Sequence, residues 1–300
     1  MTDVHDFSDI CPYDDSVFHE KMSALVKEPM FQHAISYVMP KEAIPGLIDD
    51  LLKIDNKYDF QHLIMYPFLE MLAKKTTSGI TIGGTKYYNS ALNYVFITNH
   101  RDIVLDSALL SVVLIENGMN TVEIAIGDNL LIYPWIKKIV RINKSFIVKR
   151  GLGLREQLKS SMLMSNYMHY AITQKHENIW IAQRQGRAKD SNDRTQDSIL
   201  KMMVMGGEGD IFDRLKEMNL VPLSLSYEFD PCDYLKAKEA QQKRDDENFL
   251  KHSLAFKVAG ADEPEIKYSD VKITTFQPAK RVYGAEAEAA EAARKAKAAK

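Results

Sequence analysis

The sequence has almost no cysteine: Cys11 and Cys232 are the two in 300 residues. That excludes a disulfide scaffold and a cysteine-rich zinc site, and it fits a reducing compartment. Net charge is also scarce. Thirty-nine Lys and Arg stand against 41 Asp and Glu, a formal net charge of −2, without the basic excess of a general nucleic-acid binder. Long apolar runs are missing. A bilayer-spanning helix needs about 20 mostly apolar residues, and stretches such as 130–136 are far shorter. The opening MTDVHDFSDI is acidic and polar, unlike a secretory signal. There is no G-x-S-x-G elbow and no Walker A sequence. Gly151-Leu152-Gly153 lacks the third glycine of a dinucleotide fingerprint, and Gly206-Gly207-Glu208-Gly209-Asp210 lacks the Lys-Ser/Thr of a P-loop and reads as a loop. The histidines other than His100 have no metal-ligand spacing, so no metal site is expected.

What remains is an ordinary globular composition, 45% hydrophobic and 27% charged. Apolar residues recur at three- and four-residue spacing over 16–26, 31–38, 45–54 and 60–72, so 1–78 reads as an N-terminal helical segment. Residues 78–84 alternate and turn like an edge strand. Then strands and helices take turns. Strands are expected at 94–98, 122–126, 145–148, 179–182, 221–227 and 271–276. Helices are expected at 105–116, 133–142, 155–174, 195–203, 211–218 and 233–247. This alternation implies an α/β fold, a mainly parallel twisted sheet with helices on both faces, over 79–284. Residues 285–300 hold nine alanines, with acids first and bases last, and read as a solvated, partly helical tail. The fourteen methionines fall mostly in apolar helical patterns and read as core.

Ligands of such sheets bind beyond the carboxyl ends of strands, and three segments stand there. The strand 94–98 runs into Asn99-His100-Arg101-Asp102, with Asp106 beginning the next helix. A histidine there with a carboxylate partner is a base with an orienter: the carboxylate holds one ring proton and leaves the other nitrogen basic. With no nucleophile beside it, the attacking group would be a substrate hydroxyl. Next, Gly127-Asp128-Asn129 follows the second strand. From there to Glu156 the chain has seven cations and no acid: Lys137, Lys138, Arg141, Lys144, Lys149, Arg150 and Arg155. Such a run favours phosphates, an acidic carrier protein or anionic headgroups, unless it is merely a solvated helix face. Third, Gln183-Arg184-Gln185-Gly186-Arg187-Ala188-Lys189 is a polar, cationic turn suited to an anion.

Taken in order, these blocks resemble the glycerophospholipid acyltransferase superfamily, which acylates glycerol-3-phosphate and 1-acylglycerol-3-phosphate. Asn99-His100-Arg101 with Asp106 is similar to its catalytic block, and Gly127-Asp128-Asn129-Leu130 with 146–150 to its second. Gln185-Gly186-Arg187 stands at its third, and Val221-Pro222-Leu223-Ser224 at its fourth, with Tyr227-Glu228 like the glycerol-3-phosphate branch. The resemblance spans 80–276. Two features depart from the pattern. Five residues separate His100 from Asp106 where the family has four, and Gln185 replaces a Glu. Asp102 is nearer in sequence but poorly placed to reach around the ring.

The resemblance implies acyl transfer from acyl carrier protein or coenzyme A, with no cofactor beyond that thioester. His100 would be the base and Asp106 its orienter. Arg101, Lys149, Arg150 and Arg187 would hold the acceptor phosphate, with Gly127, Asp128, Asn129, Gln185 and Gly186 lining the site. Glycerophosphate or lysophospholipid would be the acceptor. An anionic membrane surface would be a partner, touched by the basic run and the N-terminal helices of a cytoplasmic, peripheral protein. The rival expectations are an acyltransferase for an amino-acid or aminolipid headgroup, kept open by Gln185, and a non-enzymatic lipid-binding module.

Overall fold

Proline cuts the first 78 residues into short helices. The computed structural model describes residues 6–188 and 192–245. Within it α1 (Phe18–Val26), α2 (Pro29–Ile35), α3 (Ile44–Leu52), α4 (Lys57–Asp59) and α5 (Tyr66–Thr76) precede any strand. Pro29, Pro45 and Pro67 each occupy a first helical turn, where the missing N–H has no partner to lose. Between α4 and α5 the chain widens into a π-helical run, Phe60–Met65, just before Pro67 interrupts the hydrogen-bond ladder.

Five short strands follow: β1 (Val95–Thr98), β2 (Val122–Gly127), β3 (Ser145–Val148), β4 (Asn178–Ala182) and β5 (Leu220–Leu223). All pairs are parallel, in the order β3-β2-β4-β1-β5. Parallel neighbours need crossovers. These are α6 (Leu105–Glu116), α7 (Pro134–Ile142), α8 (Leu154–Thr173), and α9 (Asp197–Met203) with α10 (Ile211–Glu217). Helix α11 (Asp233–Asp245) comes last among the described residues. Thr98 lies level with both Ala182 and Leu223, and Gly127 with Val148, so the strands deliver the sequence blocks to one edge of the sheet.

Side-chain alternation puts a core on each face. Val95, Ile179 and Ile181 point to the layer of α8 and α9, among Tyr167, Met168 and Met203. Phe96 and Trp180 point the other way, onto Leu110 and Leu114 of α6. The methionines of α8 and α9 are core as expected, except Met162, which is exposed. A third cluster joins the N-terminal helices to α7: Phe18, Met22, Leu25 and Phe60 pack with Ile142, Ile139 and Trp135.

The chain before α1 lies along β3. Ile147 N–H donates to Ile10 O at 2.9 Å, and Tyr13 N–H to Arg141 O at 3.2 Å. Arg141 returns Nε to Cys11 O at 2.8 Å and Nη2 to Ser8 O at 2.6 Å, with its guanidinium 4.2 Å from the Tyr13 ring. At the strands' N-terminal edge, Glu123 is fully buried and takes the Tyr167 hydroxyl at 2.6 Å and an ion pair from Lys175. Burial, then the charge of Glu123, pushes the Tyr167 phenol well above its ordinary pKa.

Two expectations are corrected. Residues 78–84 form no strand; the backbone turns at Gly79 (φ 137°) and Gly84 (φ 85°), and no strand among the described residues pairs with the segment. The fourth block is a strand only to Leu223, because beyond it the side chain of Asn99 takes over the pairing: Leu225 N–H donates to Asn99 Oδ1 at 2.7 Å, and Asn99 Nδ2 to Leu225 O at 2.9 Å. The expected strand 271–276 and the tail 285–300 lie outside the described residues.

Candidate active site

Asp106 opens α6 and is fully buried. A buried carboxylate must be surrounded by donors, and this one is. Its Oδ2 accepts His100 Nδ1 at 2.9 Å, Arg101 N–H at 2.8 Å and Asp102 N–H at 3.0 Å. Its Oδ1 accepts the Tyr227 hydroxyl at 2.8 Å. The two backbone donors show how five intervening residues are accommodated: the chain after His100 curls around the carboxylate. Asp102 has another task. Its Oδ1 takes Val104 N–H and Leu105 N–H, both at 2.9 Å, and so caps α6.

With Arg101 N–H, Asp102 N–H and the Tyr227 hydroxyl already donating to it, Asp106 meets His100 as an acceptor, so Nδ1 is the donor side of the ring and Nε2 is the nitrogen turned away from the carboxylate. The ring lies edge-on to Trp180, centroids 5.7 Å apart. Burial first, then Asp106's charge and hydrogen bond, raises the Tyr227 phenol far above its usual pKa, so it remains a donor. The His100 backbone is fixed from both sides: its N–H donates to Asp193 Oδ2 at 2.7 Å, and its carbonyl accepts Ala188 N–H at 2.7 Å.

A cleft of about 650 Å³ opens beside this pair, lined by Asn99, Arg101, Gln183, Asp193, Tyr227 and Asp230 among others. Arg101 Nε donates to Asp230 Oδ1 at 2.8 Å. Lys236, almost fully buried, donates to Asp230 Oδ2 at 2.5 Å and to Arg101 O at 2.7 Å. Burial raises the Asp230 carboxyl, but the hydrogen bonds from Lys236 and Arg101 outweigh it and hold its pKa below the ordinary value. Arg101 is thus a cleft residue oriented by a carboxylate.

The other sequence-expected residues form two groups. After β2, Asp128 Oδ1 accepts Arg150 N–H at 3.0 Å. Gly127 is crowded: a Cβ there would lie 2.5 Å from Asn129 Oδ1 and 3.4 Å from Arg150 Nε. Burial lowers the Arg150 pKa and Asp128 opposes it. Lys149 is exposed, 3.7 Å from Asp9. After β4, Gln185 is exposed with its N–H on Gln196 Oε1 at 2.9 Å, Gly186 takes φ 71°, and Arg187 is half-buried. Because β4 lies between β2 and β1, this loop stands between the Asp128 group and the His100–Asp106 pair.

Much of the basic run is used internally. Lys138 pairs with Glu28 at 2.6 Å and Lys144 with Glu177 at 2.7 Å, while Arg141 is spent on the N-terminal carbonyls. The run has no acid in sequence, but folding brings acids to it, which corrects the expectation of an unopposed field. Sequence reasoning missed Asp193, Asp230 and Lys236, which lie 93, 129 and 135 residues from the His100 or Arg101 atoms they hold. Tyr227 was visible only as part of a block. No group of three or more potential metal ligands occurs among the described residues.

Residues 79–206 match the acyltransferase family model. The match includes His100, Asp106, Asp128, Arg150 and Arg187, and it supports acyl transfer as the general chemistry of this segment. A second match, to the C-terminal part of the fumarate reductase flavoprotein, covers 236–283. The fumarate reductase flavoprotein subunit of Haemophilus influenzae is 70% identical over 56 residues, 18% of this chain and 9% of that protein. The subunits of Escherichia coli K12 and Proteus vulgaris are 60% identical over 55 residues and 57% over 61, again 9% and 10% of their lengths. The chain spans about a tenth of the curated relatives it matches. The acyltransferase match ends at 206 and the flavoprotein match begins at 236, whereas the sequence pattern extended the acyltransferase resemblance to 276. None of the helices among the described residues is long and apolar enough to cross a membrane.

Proposed function

We propose that this chain moves a fatty acyl group from an acyl carrier protein or coenzyme A thioester to a hydroxyl of glycerol-3-phosphate or 1-acylglycerol-3-phosphate. The observation that carries the reading is the 2.9 Å His100 Nδ1–Asp106 Oδ2 bond at the strand edge, inside the acyltransferase match. His100 Nε2 takes the proton of the acceptor hydroxyl as its oxygen attacks the thioester carbonyl. Asp106 holds the ring and meets the cation that forms. The tetrahedral intermediate collapses, the C–S bond breaks, and the imidazolium returns the proton to the leaving thiolate. Arg101, Arg150 and Arg187, from the ends of three strands, supply the charge for an acceptor phosphate; the planar fork of arginine suits two phosphate oxygens. Each residue in this mechanism lies between 100 and 187, ahead of the flavoprotein match.

The test is mass spectrometry of products formed by purified protein from acyl carrier protein and coenzyme A thioesters with a panel of acceptors, beside His100→Ala. A general base contributes ~10²–10⁴-fold, and a loss of that size with the fold intact is expected. Thioester turnover in His100→Ala within a fewfold of the parent refutes the mechanism. Acylation of an aminolipid in preference to both glycerophosphates replaces the acceptor.

A further inference from the structure

Helix α8 is too long for the sheet it crosses. Its 20 residues rise ~30 Å, whereas β3 and β4, with four and five residues, span ~13–17 Å. The overhang is at the site edge. From Gly151 to Lys159 each residue is exposed, while the positions buried in α8 begin only at Met164. Yet this projecting end carries leucines. Leu154 is 86% exposed and Leu158 62%, and Leu152 precedes them. Leu154 and Leu158, four apart, share one helix face. Scattered exposed leucines need no explanation, but three on one projection do. Exposed Val104 and Ile132 sit in the loops after β1 and β2, which leave the same edge.

The charges around the leucines have one dominant sign. Lys149, Arg150, Arg155 and Lys159 stand there; Glu156 pairs with Lys159 at 3.1 Å, Asp9 lies 3.7 Å from Lys149 and Asp128 faces Arg150, so cations still outnumber acids around the exposed tip. By contrast, the apolar faces of α1, α2 and α3 pack into one cluster with α7, the exposed apolar residues of the N-terminal segment, such as Val38, Leu63 and Met71, are scattered along it, and the cations of α7 and its C-terminal turn largely face internal acids and carbonyls. We infer that the first two turns of α8, with Leu152, Leu154 and Leu158 at the apolar tip and Lys149 and Arg155 beside them, dock the site edge of the sheet onto an anionic lipid surface. An apolar tip ringed by cations inserts ~5–10 Å into the headgroup boundary while the bases stay in contact with anionic headgroups. The surface deepens the acyl-transfer reading by saying which face meets the lipid, and its readout is independent of turnover.

Sedimentation with phosphatidylglycerol–phosphatidylethanolamine vesicles tests it. Leu154→Ser with Leu158→Ser should weaken vesicle affinity at least tenfold, with the thermal midpoint unchanged because both sites are exposed. Arg155→Ala should weaken it less and flatten its salt dependence. Leu154→Trp should gain a blue-shifted emission component on adding vesicles. Unchanged vesicle affinity in the double variant, or no blue shift, overturns the proposal. So does a drop in solution mass of the double variant by light scattering, which makes the leucines an interface between copies of the chain. Vesicle binding lost with the leucines in a protein that transfers no acyl group would leave this surface standing and remove the proposed reaction alone.

Discussion

Replacing Asp106 by Asn separates charge from shape at the centre of the site. The side chain is buried and nearly isosteric with Asn, and three donors converge on Oδ2. The amide oxygen must take that position, since an NH2 there would face three N–H groups. The NH2 then falls toward Tyr227, whose hydroxyl rotates to accept from it. The fold and the His100 tautomer survive, and the negative charge opposite the imidazolium is lost. Two unit charges about 4 Å apart interact by ~4 kcal/mol at an effective dielectric of ~20, and each 1.36 kcal/mol is about tenfold in rate. Asp106→Asn should therefore lower kcat by ~10²–10³-fold. Asp102→Asn is the control. Its Oδ1 accepts Val104 and Leu105 N–H at the start of α6 and touches no group of the His100 ring among the described contacts, and Asn caps as well as Asp, so its kcat should stay within about threefold. Free-thiol release from acyl-coenzyme A at saturating acceptor, with circular dichroism for the fold, reads both. An Asp102→Asn defect equal to or larger than that of Asp106→Asn refutes the assignment of the orienter.

Three other outcomes are expected. Tyr227→Phe removes the hydroxyl that donates to Oδ1 of Asp106, a hydrogen bond to a charged group worth ~1.5–3 kcal/mol; kcat should fall roughly tenfold or more in the thiol-release assay, with donor KM little changed. Arg187→Ala should raise the acceptor KM ~10–100-fold and leave the donor KM alone, as loss of one charge-assisted contact requires; steady-state kinetics in both substrates reads this, and an unmoved acceptor KM removes Arg187 from the site. Gly207→Ala forces a side chain into φ 81° with its Cβ 2.6 Å from the His169 ring. That costs ~2–4 kcal/mol, a drop in thermal midpoint of roughly 5–15 °C by calorimetry.

The sheet was legible because its strands are short runs of β-branched and aromatic residues between turn residues, and crossover helices such as 105–116 carry clear helical spacing. Residues 78–84 have the same alternation but pair with no strand among the described residues, and pairing is not written in a local pattern. The His100–Asp106 pair was legible as a block, but its spacing was not. The extra residue made sense only once the Arg101 and Asp102 N–H groups were seen on the carboxylate. The supports of the site were hidden for a different reason. Asp193, Asp230 and Lys236 act across the sheet edge through contacts that no periodicity encodes. The charge count between Asp128 and Glu156 misled because it is one-dimensional, while Glu28 and Glu177 reach the run only through folding.

The segment ahead of α1 has a consequence for handling the protein. β3 is an outermost strand, and a bare outer strand recruits strands from other molecules. Here Ile10 occupies the Ile147 amide, and Arg141 ties Ser8 and Cys11 down beside it. Proteolytic trimming through residue 13 would leave His100 and Asp106 untouched yet uncover β3. The first casualty would be colloidal: self-assembly and precipitation ahead of any loss of chemistry. A bulky fusion placed directly against Phe7 would carry the same hazard.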